Sequence, residues 1–181
     1  MNIIMLFDRV KNKIKRSYRS YIFRKTVNCP HKNFTLVGDI TVINRNIQVG
    51  QNVCIYPGCM FFGDGPIVLG DNVDIGQNTV IYASAEGGGV TVGDHTIIAA
   101  QCYLIDMDHG TAAKDIIQNQ SNSVSPISIG KDCWLGANCT VLKGSQIDDG
   151  AIIGAKALVK GKITENAIAV GSPAKEIKKR P

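Results

Sequence analysis

From Val49 to the end of the chain an aliphatic residue recurs every six positions, and Gly or Ala usually follows it at once. Val49-Gly50, Leu69-Gly70, Ile75-Gly76, Val92-Gly93, Ile98-Ala99, Ile129-Gly130, Leu135-Gly136 and Ile153-Gly154 obey this rule. Ile129, Leu135, Val141, Ile147, Ile153 and Val159 keep the phase without a break. Four residues after most of these comes a small side chain: Thr79, Thr96, Cys102, Cys133, Cys139, Ser145, Ala151 or Ala157. A period of six belongs neither to a helix nor to a half-buried strand alone. It fits a parallel β-helix, in which each six-residue edge turns one large and one small residue inward. The Gly after the aliphatic residue is expected to supply a positive φ at the turn between edges.

The phase slips at three places, which are read as loops. They are Gly63-Asp64-Gly65-Pro66, Ala85-Glu86-Gly87-Gly88-Gly89, and a long excursion over 105–126 between the Leu104 and Ile129 edges. An excursion of that length from a rigid repeat is expected to be either functional or disordered. The chain therefore divides into a basic helix over 1–25, a lead-in with the start of a first coil over 26–46, a β-helix over 47–172, and a tail over 173–181. The basic end of that tail is expected to form a short helical cap.

Aromatic residues make up only 6% of the 181 residues, as a narrow prism filled by Ile, Leu, Val, Ala and Cys requires. Cys59, Cys102, Cys133 and Cys139 fall in the small-residue slot, so packing explains them without disulfides. This usage points to a reducing cytoplasm. The net charge of +5 is local: eight Lys and Arg lie in residues 1–25 beside Asp8, and the remainder is close to neutral. A nucleic-acid surface on the body has no support in that distribution.

Within 1–25, Ile3, Phe7, Val10, Ile14, Tyr18, Tyr21 and Ile22 follow steps of three or four, with basic residues between them. The apolar run is too short to span a bilayer. Two readings stand: an amphipathic helix lying on an anionic inner leaflet, or a helix whose stripe packs on the β-helix or a neighbouring subunit.

Of three histidines, His95 falls on an outward position and His31 has no evident partner. His109 opens the long loop in Asp106-Met107-Asp108-His109-Gly110. An imidazole at the root of a loop on a rigid scaffold is a candidate general base, with Asp106 or Asp108 to orient it. A metal site on Asp106, Asp108 and His109 lacks a second His or Cys cluster, and no metal is expected. Trp134 points outward on the first edge after the loop and needs a cover: a loop, a subunit or a ligand. There is no phosphate-binding P-loop, no GxGxxG after a strand and no GxSxG elbow.

With the repeat, His109, Trp134 and Gly171-Ser172-Pro173-Ala174-Lys175 in hand, the chain resembles the left-handed β-helix (hexapeptide-repeat) acyltransferases. Within them it resembles the galactoside, maltose, xenobiotic and surface-polysaccharide O-acetyltransferases. The likeness covers roughly 36–178 and includes Pro126–Ala137 and Gly150–Val159. It implies left-handed coils, a homotrimer with active sites between subunits, and acetyl-CoA as co-substrate. The family's base lies eleven positions after the Ile of its Ile-Ala edge, which is His109 here. Coenzyme A is implied to lie along Trp134, Ala137 and Ala155, with its phosphates on Lys160, Lys175 and Lys178. Tyr82, where relatives carry Asn, and Ser84 map to the acceptor side. The resemblance implies O-acetylation of a sugar, in a bacterial surface glycan or its lipid-linked precursor. N-acetylation of a nucleotide-linked amino sugar and a catalytically silent scaffold are the alternatives.

Overall fold

The six-residue period winds the chain into a parallel β-helix with three flat faces, seen in a computed structural model that describes residues 3–30 and 33–181. The first face stacks Phe34–Leu36, Val53–Ile55, Asp74–Ile75, Ile97–Ile98, Trp134–Leu135, Ile152–Ile153 and Ala167–Val170. The second stacks Thr41–Val42, Met60–Gly63, Val80–Ala83, Tyr103–Ile105, Thr140–Val141 and Leu158–Val159. The third stacks Ile47–Val49, Ile67–Leu69, Val90–Val92, Ile127–Ile129, Gln146–Ile147 and Lys162–Ile163. Each residue pairs with its counterpart one coil on, as in Ile98 with Leu135 and Leu104 with Val141. The solenoid's first coil starts at Phe34, inside the segment 26–46 read from sequence as a lead-in with the start of a first coil.

The aliphatic residues of the repeat fill the interior. Ile75, Ile98, Leu135 and Ile153 from the first face meet Ile81, Leu104 and Val141 from the second and Val92, Ile129 and Ile147 from the third, all buried. The small slot is buried as well: Thr79, Thr96, Cys102, Cys133, Cys139, Ser145, Ala151 and Ala157 line the corners. Their polar atoms are satisfied by backbone carbonyls, for example Thr96 Oγ1 donating to Gly130 O at 2.8 Å and Cys139 Sγ to Gly154 O at 3.1 Å. Among the described residues no two cysteines are bridged.

The reason for the repeat's glycines differs from the one its sequence suggests. None of Gly50, Gly70, Gly76, Gly93, Gly130, Gly136 and Gly154 has a positive φ. The left-handed corner falls two residues later, at Asn52, Asn72, Asn78, His95, Gln101, Asp132, Asn138 and Lys156, with φ between 52° and 62°. Asn leads that group because its short polar side chain tolerates this region. The glycines are there for space: a Cβ on Gly93 would lie 2.6 Å from Gly130 C and 2.8 Å from Lys131 N, both backbone atoms of the next coil. Gly93→Ala is therefore expected to cost about 1–3 kcal/mol through forced coil separation. His95→Gly, at the neighbouring corner, should be neutral or slightly stabilising because Gly adopts φ > 0 freely. Thermal denaturation of the two variants separates these roles, and a neutral Gly93→Ala would return the glycine to a turn role.

The helix α1 (Ile3–Thr26) has no Gly or Pro and carries Arg24 and Lys25 in its last turn, where positive charge suits the helix dipole. Thr26 Oγ1 donates to Ile22 O as the helix ends. Phe23 and Val27 are buried at the start of the solenoid, and the Phe23 ring packs 5.3 Å from that of Phe34. Arg19 pairs with Asp39 of the first coil. His31 lies outside the described residues, as do the side chains of Ile3 and Asp8.

The tail is a strand, not the helical cap its composition suggested. Lys175–Lys179 runs antiparallel to Ala167–Val170, with Lys175 opposite Val170 and Lys178 opposite Ile168. No side chain of this strand is buried, so no apolar pattern announces it. Backbone pairing holds it, together with Glu176 accepting from Thr164 N and Oγ1, and Arg180 reaching Asp132 and Gly150 O.

Candidate active site

All three insertions leave the solenoid at the same corner, between the second and third faces, so they stack on one another. Two buried polar side chains tie them down. Asn44 donates through Nδ2 to Phe62 O and Gly65 O, which fixes the first insertion. Asp106 is fully buried and fixes the second: it accepts from Ser84 N at 2.8 Å, Ser84 Oγ at 2.7 Å and Gly89 N at 2.6 Å. Nothing in the sequence pattern pointed to Asn44, and the pattern suggested another partner for Asp106. That carboxylate does not orient His109, because its oxygens are taken by backbone and hydroxyl donors from the coil beneath.

The third insertion continues from Asp106 as a small hairpin, Met107–Asp108 paired antiparallel with Ser123–Val124. Its base is closed by Ser125 N donating to Asp106 O, and its flank by Lys143, which donates to Ser123 Oγ at 2.5 Å and pairs with Asp108 at 3.3 Å. Asp108 thus faces Lys143. Beyond the hairpin, Gln120 bridges Ala112 N and O and Asp115 O, giving the outer loop a frame. His109 follows Asp108 directly and is exposed, and among the described residues its ring has no hydrogen-bond partner. Tyr82 stands outward on the second face between Phe62 and Ile105, one coil below the strand that leads into the hairpin.

The residues mapped to coenzyme A form a second cluster. Trp134 points outward on the first face, 52% exposed, in register with Ile97, Ile152 and, one rung further, Ile168, which Lys178 opposes. Strand spacing puts Lys178 about 14 Å above Trp134 along this column. Ala137 and Ala155 occupy the corner between the first and second faces on successive coils, joined by Lys156 N donating to Ala137 O. Ala174 N donates to Leu158 O, which sets Lys175 near the top of the same corner. Lys160 is exposed at the end of the last second-face strand. The first and second clusters lie at opposite ends of the second face. Six residue steps, Ala100 to Asp106, cross that face, a span of about 20 Å. Within one chain the structure does not bring His109 together with Ala137, Ala155 and Lys175.

No interior cysteine is arranged as a nucleophile. Burial pushes the Cys59 and Cys133 thiols up, and a hydrogen bond with Cys139, together with burial, pushes Cys102 up; the same contact lowers Cys139, whose side chain is fully buried and donates to Gly154 O, out of reach of any substrate. Such thiols are inert. Among the described residues no group of three His, Cys, Asp or Glu side chains is gathered in a way that could hold a metal ion.

Two family models match the chain: bacterial transferase hexapeptide (six repeats) over residues 126–161, and hexapeptide repeat of succinyl-transferase over residues 66–105. WbbJ of Escherichia coli (strain K12), named for lipopolysaccharide biosynthesis and O-acetyl transfer, is 38% identical over 144 residues, covering 74% of this chain and 72% of WbbJ. Rv3034c of Mycobacterium tuberculosis, named as an acetyltransferase, is 38% identical over 143 residues, 76% of this chain but only 44% of that protein's length. Among solved structures, AntD, an N-acyltransferase from Bacillus cereus in complex with dTDP and 3-hydroxybutyryl-CoA, superposes with a TM-score of 0.77 at 20% identity, covering 90% of this chain and 88% of its own. That likeness is one of fold. The coil-by-coil match and the WbbJ identity together make this chain a member of the hexapeptide-repeat acyltransferases.

Proposed function

We propose that this chain is an acetyl-CoA-dependent O-acetyltransferase of the cytoplasm, acting on a sugar hydroxyl of a bacterial surface polysaccharide or its lipid-linked precursor. The observation that carries this reading is His109, exposed on a hairpin clamped by Lys143 and rooted on buried Asp106. An exposed imidazole on a fixed base is free to meet an acceptor. In the reaction, His109 removes the hydroxyl proton as the oxygen attacks the thioester carbonyl. The carbon–sulfur bond then breaks, and the imidazolium returns the proton to the departing thiolate. Acetyl-CoA would lie along Trp134, Ala137 and Ala155, whose corner carries small side chains, with Lys175, Lys178 and Lys160 as point charges for its phosphates. Tyr82 and Ser84 flank the acceptor. Transfer is direct, since the cysteines are inert and the thiolate is a good leaving group.

The separation of the two clusters by the second face supports a homotrimer in which His109 of one subunit meets the coenzyme corner of the next. Turnover of acetyl-CoA with a panel of glycans, lipid-linked sugars and nucleotide-linked amino sugars, read by product mass, tests the activity. Acetyl on an amine would shift the reading to N-transfer, and no turnover with any acceptor would leave a scaffold. Mixing tests the assembly. Lys175→Glu is expected to raise the KM for acetyl-CoA at least about tenfold, through loss of a phosphate contact and a new repulsion. At low acetyl-CoA, both His109→Ala and Lys175→Glu should be nearly inactive alone. Co-refolded in equal amounts, they should regain about a quarter of wild-type sites, as random closed trimers allow. No recovery on mixing would put each site within a single chain.

A further inference from the structure

The helix α1 presents an apolar stripe that its own chain does not use. Phe7, Val10, Ile14, Tyr18 and Tyr21 succeed one another at steps of three and four, and all are exposed, Phe7 by 75% and Ile14 by 64%. The residue that docks the helix on the solenoid is Phe23, with Arg19 on Asp39 beside it. Phe23 comes nine residues after Ile14, about two and a half turns, so it lies on the opposite side of the helix. The docking of α1 therefore leaves Phe7, Val10 and Ile14 on the side away from Phe23, while Tyr18 and Tyr21, at the C-terminal end of the stripe, flank grooves shared with Gly38 and Phe34 of the first coil.

The stripe has basic margins. At about 100° per residue, Lys11 and Lys15 fall along one edge of it and Lys13 and Arg24 along the other, and all four are exposed. An apolar centre with Lys and Arg on both sides matches a lipid surface, where the rings and Ile14 enter the acyl boundary while the basic heads reach lipid phosphates. Closing the same stripe against a second copy would bring like-charged margins together. No helix among the described residues is long and apolar enough to cross a bilayer, so the contact is with one surface.

We propose that α1 docks this protein on the surface of an anionic lipid bilayer through Phe7, Val10, Ile14, Tyr18 and Tyr21, with Lys11, Lys13, Lys15 and Arg24 facing the phosphates. This stands apart from the acetyltransferase reading, because vesicle binding requires no turnover. The experiment is flotation of the full chain with vesicles of phosphatidylcholine alone and of phosphatidylcholine with phosphatidylglycerol, at low and high salt. The chain should float with the anionic vesicles at low salt and much less at high salt or on the neutral ones. Lys11→Gln and Lys15→Gln should each weaken binding about fivefold. Phe7→Ser combined with Ile14→Ser should weaken it at least about tenfold, since each buried apolar group contributes, with an unchanged melting temperature because both side chains are exposed. A double Ser variant that floats as well as the parent overturns the proposal. So does a parent chain that stays in solution and whose assembly, seen by sedimentation velocity, shrinks when the stripe is changed; a second copy then covers the stripe.

Discussion

His109→Ala is expected to lower acetyl transfer by about 10²–10⁴, the usual loss for a well-placed general base. The loss should appear in kcat, with the KM for acetyl-CoA close to the parent value, because the contacts proposed to hold the coenzyme are made by other residues, at Trp134, Ala137, Ala155 and the tail lysines. Folding should be untouched, since the side chain is exposed and holds nothing in place. Steady-state release of the CoA thiol measures the rate, and a search for acetylated protein by mass spectrometry checks the chemistry. A variant that keeps its activity, or an acetyl group trapped on the parent enzyme, would falsify the direct transfer assigned to His109.

Asp106→Asn is expected to be the most damaging small change outside the reacting groups. Three donors converge on the two carboxylate oxygens of Asp106: Ser84 N, Ser84 Oγ and Gly89 N. An amide keeps one acceptor oxygen: with that oxygen on Gly89 N and Ser84 N, its NH₂ group turns the Ser84 hydroxyl from donor to acceptor and crowds the Ser84 N–H. Replacing hydrogen bonds to a buried carboxylate by those of a neutral amide costs about 1–3 kcal/mol, which lowers the melting temperature by about 2–10 °C in a chain of this size. The same change loosens the root of the hairpin that carries His109. Misplacement of a catalytic group by an ångström is worth up to about 10²-fold, so kcat should fall about 10- to 100-fold while the KM for acetyl-CoA holds. Ser84→Ala removes one of the three donors without creating a mismatch and should cost far less. Equal stability of Asp106→Asn and the parent would show that the carboxylate holds the Ser84 insertion only loosely.

What could be read from the sequence was what repeats locally. Each aliphatic residue of the six-residue period buries itself within its own edge, so Ile98, Leu135 or Ile153 could be assigned to the core one at a time. The three insertions were legible for the same reason, as breaks in phase, and so was His109 at the root of the longest. Interactions between coils were not. The spacing role of Gly93 depends on Gly130, brought beside it only because the long loop closes on itself. Asp106 reads as a partner for the histidine three residues on, yet its donors sit 17 and 22 residues earlier. The face of α1 that docks was hidden because a stripe of several apolar residues outweighs a single Phe23 in any pattern. The final strand was hidden because backbone pairing and polar contacts such as Glu176 with Thr164 hold it, and its side chains carry no apolar periodicity.

That final strand has a further consequence. A stack of parallel rungs ends in a row of unpaired backbone groups that invites the next molecule to add its own first coil, and repeated addition of that kind makes filaments. Here the last open rung on the first face is Ala167–Val170, and the strand that occupies it runs the opposite way. A further copy arriving with its coils in parallel register finds an antiparallel rung, fringed by Lys175, Lys178 and Lys179, that its own winding cannot continue. Addition to the first face is thus opposed by direction and by charge at one end, while Phe23 and Val27 are buried at the other. The number of coils becomes a fixed property of the molecule, and an enzyme whose chemistry needs corners at set heights keeps them at those heights in solution.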